Sequence, residues 1–106
     1  MKKNELLKII KSKYWSVDKE SNTSYRLSKY SNAGEDYSFS VDGATADEMV
    51  ADIKRYADNF DIEEHIEMWV EAKKNGVSGV PSILELVEDA KAIAEDLRSL
   101  AEAVNQ

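Results

Sequence analysis

The sequence predicts an α+β domain: a short N-terminal helix, then a three-stranded antiparallel β-meander, then three helices packed on one face of the sheet. Two observations predict this order. Aromatic and β-branched residues alternate with polar residues along 14–42, which is typical of strands with one wet face. Helix-capping motifs recur along 45–104, where apolar residues follow helical spacing. At 106 residues, the chain is expected to form a single domain over 1–106.

The first element is predicted to be a helix over 4–13. Asn4 can serve as its N-cap, because its side chain can accept a hydrogen bond from the first turn. The lysines of the segment are predicted to face outward, opposite an apolar stripe formed by Leu6, Leu7, Ile9 and Ile10. We therefore expect an amphipathic helix that covers part of the core.

Three strands are predicted within 14–42. They are separated by short turns, rich in Ser, Asn and Gly, over 20–22 and 31–34. Strict alternation assigns every second residue of each strand to the core side of the sheet. The residues predicted to face the core are Trp15, Val17, Tyr25, Leu27, Tyr37, Phe39 and Val41.

Three capping motifs predict where the later helices begin. In each motif a Ser, Thr or Asp side chain caps the amide three residues on, and a Glu at that position reaches back to the amide of the cap residue. The motifs are Thr45 with Glu48, Asp61 with Glu64 and Ser82 with Glu85, and the predicted helices span about 46–60, 62–74 and 83–104.

The last predicted helix has an apolar seam with the spacing of a short coiled coil. Ile83, Ala90, Leu97 and Val104 recur every seven residues, and other apolar residues fill the positions between them. Such a seam can pack on other helices of the same chain or on a second copy. A homodimeric scaffold built on this helix is therefore one alternative function.

Composition excludes several classes of function. The chain has no Cys, so disulfides and thiolate metal sites are ruled out. Its formal net charge of −7 disfavours direct binding to nucleic acid or to an anionic membrane. No apolar run reaches the roughly 18 residues of a membrane span, and no secretory leader is recognisable. We expect a cytoplasmic protein.

The charge is unevenly distributed along the chain. Residues 1–30 hold eight basic and three acidic side chains, a balance of +5, whereas residues 31–106 hold six basic and 18 acidic ones, a balance of −12. Solvated helices often favour Glu and Asp, which is one explanation. The other is a protein with one basic end and one strongly acidic surface that a basic partner recognises.

His65 is the only histidine, and it falls on the apolar side of its predicted helix near Trp69. With Asp61 one turn before it, it could act as a general base in a small hydrolase or metal-dependent enzyme. No second His, HExxH motif, EF-hand loop or phosphate-binding loop accompanies it. A core role for His65 is therefore favoured, and no catalytic residue, metal ion or cofactor is predicted.

Carboxylates cluster on the helices predicted over 62–74 and 83–104. Glu63, Glu67 and Glu71 are spaced by four residues and so form a row along one side of their helix. Such a row is either solvated surface or a face that a partner binds. The candidate interaction surface comprises Glu63, Glu67, Glu71, Glu88, Asp89, Glu95 and Asp96.

Two stretches, AGEDYSFSVDG and YADNFDIEEHIEMWVEAKKNGVSGVPS, together with the acidic last helix resemble a group of small uncharacterised proteins encoded on phages and integrative elements of gut-type Gram-positive bacteria. The resemblance covers about residues 14–104. No activity is established for that group, so no functional residue is carried over. The resemblance implies a mobile-element setting, in which many small acidic proteins act by binding other proteins.

The sequence thus favours a non-enzymatic, acidic protein-interaction module. A specific form of this hypothesis is nucleic-acid mimicry, in which surface carboxylates imitate phosphates and bind a basic nucleic-acid-binding protein. The alternatives are the small hydrolase or metal-dependent enzyme based on His65 with Asp61, and the homodimeric scaffold.

Overall fold

One short helix, three strands and three longer helices follow one another in the computed structural model, which describes residues 1–30, 36–74, 76 and 82–105. This order confirms the predicted α+β fold, while the turn predicted over 31–34 lies outside the described residues. No helix within those ranges combines the length and apolar character needed to cross a membrane. The elements are α1 (Lys3–Ser12), β1 (Ser16–Ser21), β2 (Ser24–Tyr30), β3 (Asp36–Asp42), α2 (Ala46–Asn59), α3 (Ile62–Lys74) and α4 (Ile83–Val104).

The strands form one antiparallel sheet in the order β1-β2-β3. Leu27 of β2 lies opposite Val17 of β1 and Phe39 of β3, and Tyr25 lies opposite Val41. Because side chains alternate along each strand, this register gathers the apolar residues on one face. All of these side chains are buried except the half-buried Val17, which confirms the predicted alternation.

The opposite face of the sheet is polar. Arg26 of β2 reaches across to β3, where its guanidinium donates to Ser38 Oγ at 3.0 Å and to Ser40 Oγ at 3.2 Å. Glu20 of β1 lies 3.6 Å from Arg26 Nε on the other side. The helices pack on the apolar face instead, where α2 contacts β3 and α1 contacts β1.

Helix α4 is the longest element, with 22 residues that span about 33 Å. It packs against α1, α2 and α3, so its apolar side is enclosed by its own chain. A homodimer through α4 would therefore have to use a different side of this helix. The buried residues of the seam are Leu86, Ala90, Ile93, Leu97, Leu100 and Val104.

Two details of helix capping differ from the prediction. Thr45 caps α2 as expected, accepting from the Glu48 amide at 3.2 Å, but the Glu48 carboxylate accepts from the Ala44 amide at 2.9 Å instead of from Thr45. The predicted Asn4 cap is wrong. The carbonyl of Lys2 already accepts the first hydrogen bonds of α1, so Lys2 is the N-cap and Asn4 lies inside the first turn.

Aromatic rings connect the sheet to the helices. Trp15, at the start of the sheet, meets the Phe39 ring edge-on at 5.5 Å, and Phe39 stacks on Tyr56 of α2 at 4.2 Å. Edge-on and stacked pairs contribute to stability beyond the apolar area that they bury. The ring of Tyr56 thereby acquires a fixed position at the junction of β3, α2 and α3.

Candidate functional site

A cavity of about 410 Å³ opens where β3, the end of α2 and the start of α3 meet. Aromatic side chains form much of its wall, and carboxylates lie on the segment that enters α3. The cavity is lined by Tyr37, Ser38, Tyr56, Asn59, Phe60, Asp61, Glu64, His65 and Met68.

Two tyrosines anchor the wall on the sheet side. Tyr37 faces inward because it alternates with Ser38 along β3, and it is buried. Its hydroxyl oxygen lies 2.7 Å from that of Tyr56, a hydrogen bond that joins β3 to α2. Since Tyr56 also stacks on Phe39, two residues of β3 hold the Tyr56 side chain in place.

Phe60 forms the next part of the wall. It is the C-cap of α2 and adopts an extended conformation, with φ −66° and ψ 120°, which ends that helix before α3 begins. Its ring meets Tyr37 edge-on at 6.0 Å and lies 5.5 Å from the His65 ring. The turn between the two helices therefore places a third aromatic ring at the cavity.

His65 lies at the inner end of the cavity. Its side chain is only 7% exposed, and its ring packs edge-on against Tyr37 at 5.9 Å. Burial lowers the pKa of His65 below its usual range, because the charged imidazolium loses hydration, and the negative charge of Asp89 opposes this effect. The favoured core role of His65 is thus consistent with its position, which also borders the cavity.

Asp61 caps α3, as its sequence motif predicts. Its Oδ1 accepts hydrogen bonds from the amides of Glu63 at 2.9 Å and Glu64 at 3.2 Å. The hydrolase hypothesis pairs this carboxylate with His65. The carboxylate whose charge raises the pKa of His65 is instead Asp89, which comes from α4.

Asp89 corrects the predicted interaction surface. The sequence predicts Asp89 on the acidic surface with its neighbour Glu88, but only 1% of the residue is exposed. Asp89 lies three residues after Leu86 and four before Ile93, so it belongs to the buried side of α4. Its carboxylate is part of the interior beside His65 and is not available to a macromolecular partner.

The other predicted acidic residues divide into two groups. Asp96 is half-buried and forms an ion pair with Lys29, with Nζ to Oδ1 at 3.3 Å. The remaining five are exposed, and three of them form a row along α3, called here the α3 acidic row. The exposed residues are Glu63, Glu67 and Glu71 of that row, together with Glu88 and Glu95 of α4.

A second cavity, of about 470 Å³, lies between α2 and α4. Its wall mixes opposite charges, Lys54 and Arg98 with Asp58 and Glu102, around small Ala side chains. This balance selects no particular sign of ligand charge. Within the described parts of the chain, no group of three or more His, Asp or Glu side chains could hold a metal ion.

The aromatic wall was not predicted from the sequence. The alternation predicts Tyr37 on the core side of its strand, and helical spacing predicts Tyr56 and Phe60 on the apolar side of theirs. A weak signal was present, since Tyr56 and Phe60 are one turn apart at the end of α2 and directly precede the Asp61 cap. Their convergence with Tyr37 and His65 depends on the fold, because β3 and α3 are far apart in sequence.

Comparison with known proteins adds no assignment: no protein-family model, curated protein or solved structure matches this chain. The site is therefore interpreted from its own geometry and charge.

Proposed function

We propose that the protein is a non-enzymatic interaction module whose acidic helical surface binds a basic protein partner. The observation that carries this proposal is the exposed α3 acidic row together with Glu88 and Glu95 of α4. The partner would contact these carboxylates through Lys and Arg side chains.

Four of the five exposed acidic residues are not explained by ion pairs within the parts of the chain that the structure describes. Among the described residues, Glu63 and Glu67 form no ion pair, and neither do Glu88 and Glu95 of α4. Like charges one turn apart on a helix destabilise it by roughly 0.2–0.5 kcal/mol per pair. Glu63 and Glu67 retain this small penalty without an ion pair among the described residues, so this part of the surface is suited to a complementary external charge.

Nucleic-acid mimicry is the more specific form of the proposal. Residues four apart on a helix rise about 6 Å, so the α3 row carries about one charge per 6 Å. Duplex DNA carries one charge per about 1.7 Å of its axis. The α3 row alone is therefore much sparser than DNA. A general basic protein surface is the better match, and a nucleic-acid-binding enzyme is one member of that class in the proposed mobile-element setting.

Salt-dependent binding tests the proposal. A lysine- and arginine-rich peptide and an uncharged peptide of the same length would be titrated into the protein at about 50 mM and about 500 mM salt. We expect only the basic peptide to bind, with an affinity that falls steeply with salt because exposed charges are screened. Binding that does not change with salt would contradict the proposal.

Mimicry is tested by a separate competition experiment. The protein would be added to a basic DNA-binding enzyme that is already bound to labelled duplex DNA. A mimic releases the DNA, and this release weakens as salt rises. If the protein binds basic peptides but never displaces DNA, the general proposal stands and mimicry is dismissed.

A further inference from the structure

We infer that the aromatic cavity is a binding site for an arginine side chain of the basic partner, with the guanidinium against the aromatic wall and paired with the carboxylates at the rim. This inference rests on the proposed function, which supplies a basic partner. It adds the position at which one side chain of that partner is anchored.

The composition of the wall favours an organic cation. Tyr37 of β3, Tyr56 of α2 and Phe60 at the C-cap of α2 bring three aromatic rings to one cavity. Aromatic rings attract cations through their electron-rich faces, and guanidinium groups also stack on them. Met68, which is 64% exposed, adds a polarisable thioether at the mouth of the cavity.

The rim supplies the complementary charge. Asp61 and Glu64 both line the cavity and are exposed, and neither forms an ion pair within the described residues. Oδ1 of Asp61 accepts both capping hydrogen bonds. These two amides therefore do not occupy Oδ2, which can pair with a guanidinium. Arginine suits this arrangement better than lysine, because its planar group can stack on a ring and pair with a carboxylate at the same time.

Among the described residues that line the cavity, none carries a positive charge at neutral pH. His65 is the only basic residue among them, and burial lowers the pKa of its imidazole, so the uncharged form predominates at neutral pH. The buried Asp89 carboxylate acts on the same imidazole from α4, which adds negative potential behind the inner wall. The electrostatic field in the cavity therefore favours a positively charged ligand.

The walls are arranged before any ligand arrives. The Tyr37–Tyr56 hydrogen bond, the stacking of Tyr56 on Phe39 and the edge-on contact of Phe60 with Tyr37 fix the rings relative to one another. Binding to a preformed site loses less conformational entropy than binding to groups that must first become ordered. The side chain entering the cavity would be the main group to lose freedom.

The single histidine makes the test specific. Its imidazole proton resonances report on the inner end of the cavity, and no other residue can give the same signal. Three blocked peptides would be titrated into the full chain, identical except for a central arginine, lysine or citrulline. Citrulline has nearly the shape of arginine without its charge. We expect the arginine peptide to shift the His65 resonances saturably and the citrulline peptide to leave them unchanged.

Two variants, each of which removes one negative charge, distinguish binding in the cavity from binding to the surrounding surface. Glu64→Gln removes a carboxylate at the cavity rim, whereas Glu67→Gln removes one from the α3 acidic row outside the lining. Glu64→Gln should weaken binding of the arginine peptide about threefold to tenfold, and Glu67→Gln by less. Phe60→Leu should weaken it by a similar factor through the loss of one aromatic face, with thermal unfolding as the check on its fold.

The outcomes distinguish this inference from the proposed function. If the peptides bind without shifting the His65 resonances, and the two Glu variants weaken binding equally, the cavity inference is overturned while surface binding stands. Arginine and lysine peptides of equal affinity would also overturn the choice of arginine. If neither the arginine nor the lysine peptide binds, this inference fails, and if the lysine- and arginine-rich peptide also fails to bind at low salt, the proposed function fails with it.

Discussion

Helices α2 and α3 are consecutive and nearly equal in length, with 14 and 13 residues, but they bury different kinds of side chain. Helix α2 inserts Met49 and Ile53, both fully buried, between the sheet and α4. Among the side chains of α3 that the structure describes, only His65 is buried, and Met68 stays largely exposed. Helix α2 thus supports the core, whereas α3 presents a cavity on one side and an acidic row on another.

This difference predicts that α2 contributes mainly to stability and α3 mainly to binding. The apolar side of α2 completes the core, and its stability derives from burial of large side chains. Helix α3 buries an imidazole near a carboxylate of α4, an arrangement that contributes less to stability than a well-packed aliphatic pair. We therefore expect substitutions in α2 to change folding and substitutions in α3 to change binding.

The largest expected effect comes from shortening a core residue of α2. Ile53→Ala removes a fully buried side chain and leaves a cavity, so the free energy of unfolding should fall by about 2–5 kcal/mol. The matched substitution Ile66→Ala in α3 removes a half-buried side chain and should cost clearly less. Chemical denaturation of both variants measures the comparison. Equal losses would show that α3 contributes to the core as strongly as α2.

The next effect concerns pH. Because the pKa of His65 is lowered by folding, the unfolded chain takes up a proton near its ordinary value of about 6.5 while the folded chain resists it. The free energy of unfolding should therefore be independent of this group at higher pH. It should fall as pH drops below about 6.5, by at most about 1.4 kcal/mol per pH unit for one proton.

The control for this pH dependence is His65→Gln, because many carboxylates also titrate as the solution becomes acidic. Denaturation of both proteins at pH 7.5 and pH 5.5, roughly one unit either side of about 6.5, isolates the contribution of His65. Other ionisable groups near it, including Tyr37, Asp61, Glu64 and Asp89, are the same in both proteins. If the wild type gained stability relative to His65→Gln at the lower pH, the direction of the pKa shift would be wrong.

A smaller effect identifies the carboxylate that acts on the imidazole. Desolvation lowers the pKa of His65, and the negative charge of Asp89 partly offsets this effect. Asp89→Asn removes that charge, so the pKa of His65 should fall further. Asp61→Asn keeps a capping side chain and tests the pairing suggested by the sequence. A proton NMR titration of the single imidazole compares the two variants. A larger change in the Asp61 variant than in the Asp89 variant would restore the pairing of His65 with Asp61.

Local sequence patterns predicted most of the fold. The alternation of Tyr37, Phe39 and Val41 identified a half-buried strand, and Thr45 and Ser82 marked the starts of α2 and α4, where their hydroxyls accept the expected amide hydrogen bonds. These features depend on a few neighbouring residues. They were therefore visible without knowledge of the tertiary structure.

The candidate site was predicted less well, because it depends on contacts between distant segments. Asp89 resembles the exposed Glu88 in sequence, and only the packing of α3 on α4 shows that it is buried. Likewise, Phe60 ends an amphipathic helix, and its role in the cavity follows from its contacts with Tyr37 and His65. The five exposed acidic residues were identified correctly as surface, but their use by a partner stays a prediction.

The most direct test of the central claim measures stability and binding in one variant. Glu63→Gln/Glu67→Gln/Glu71→Gln removes the like-charge pairs of the α3 acidic row, but also the favourable charge of Glu63 in the first turn of α3 and a contact of Glu71, so thermal stability should change little. The affinity for a basic peptide at about 50 mM salt should fall by at least tenfold. The control is Glu5→Gln/Asp18→Asn/Asp58→Asn, which changes the net charge equally and should lose less affinity. Equal binding by the two triple variants would contradict the claim that the α3 acidic row is a partner-binding surface.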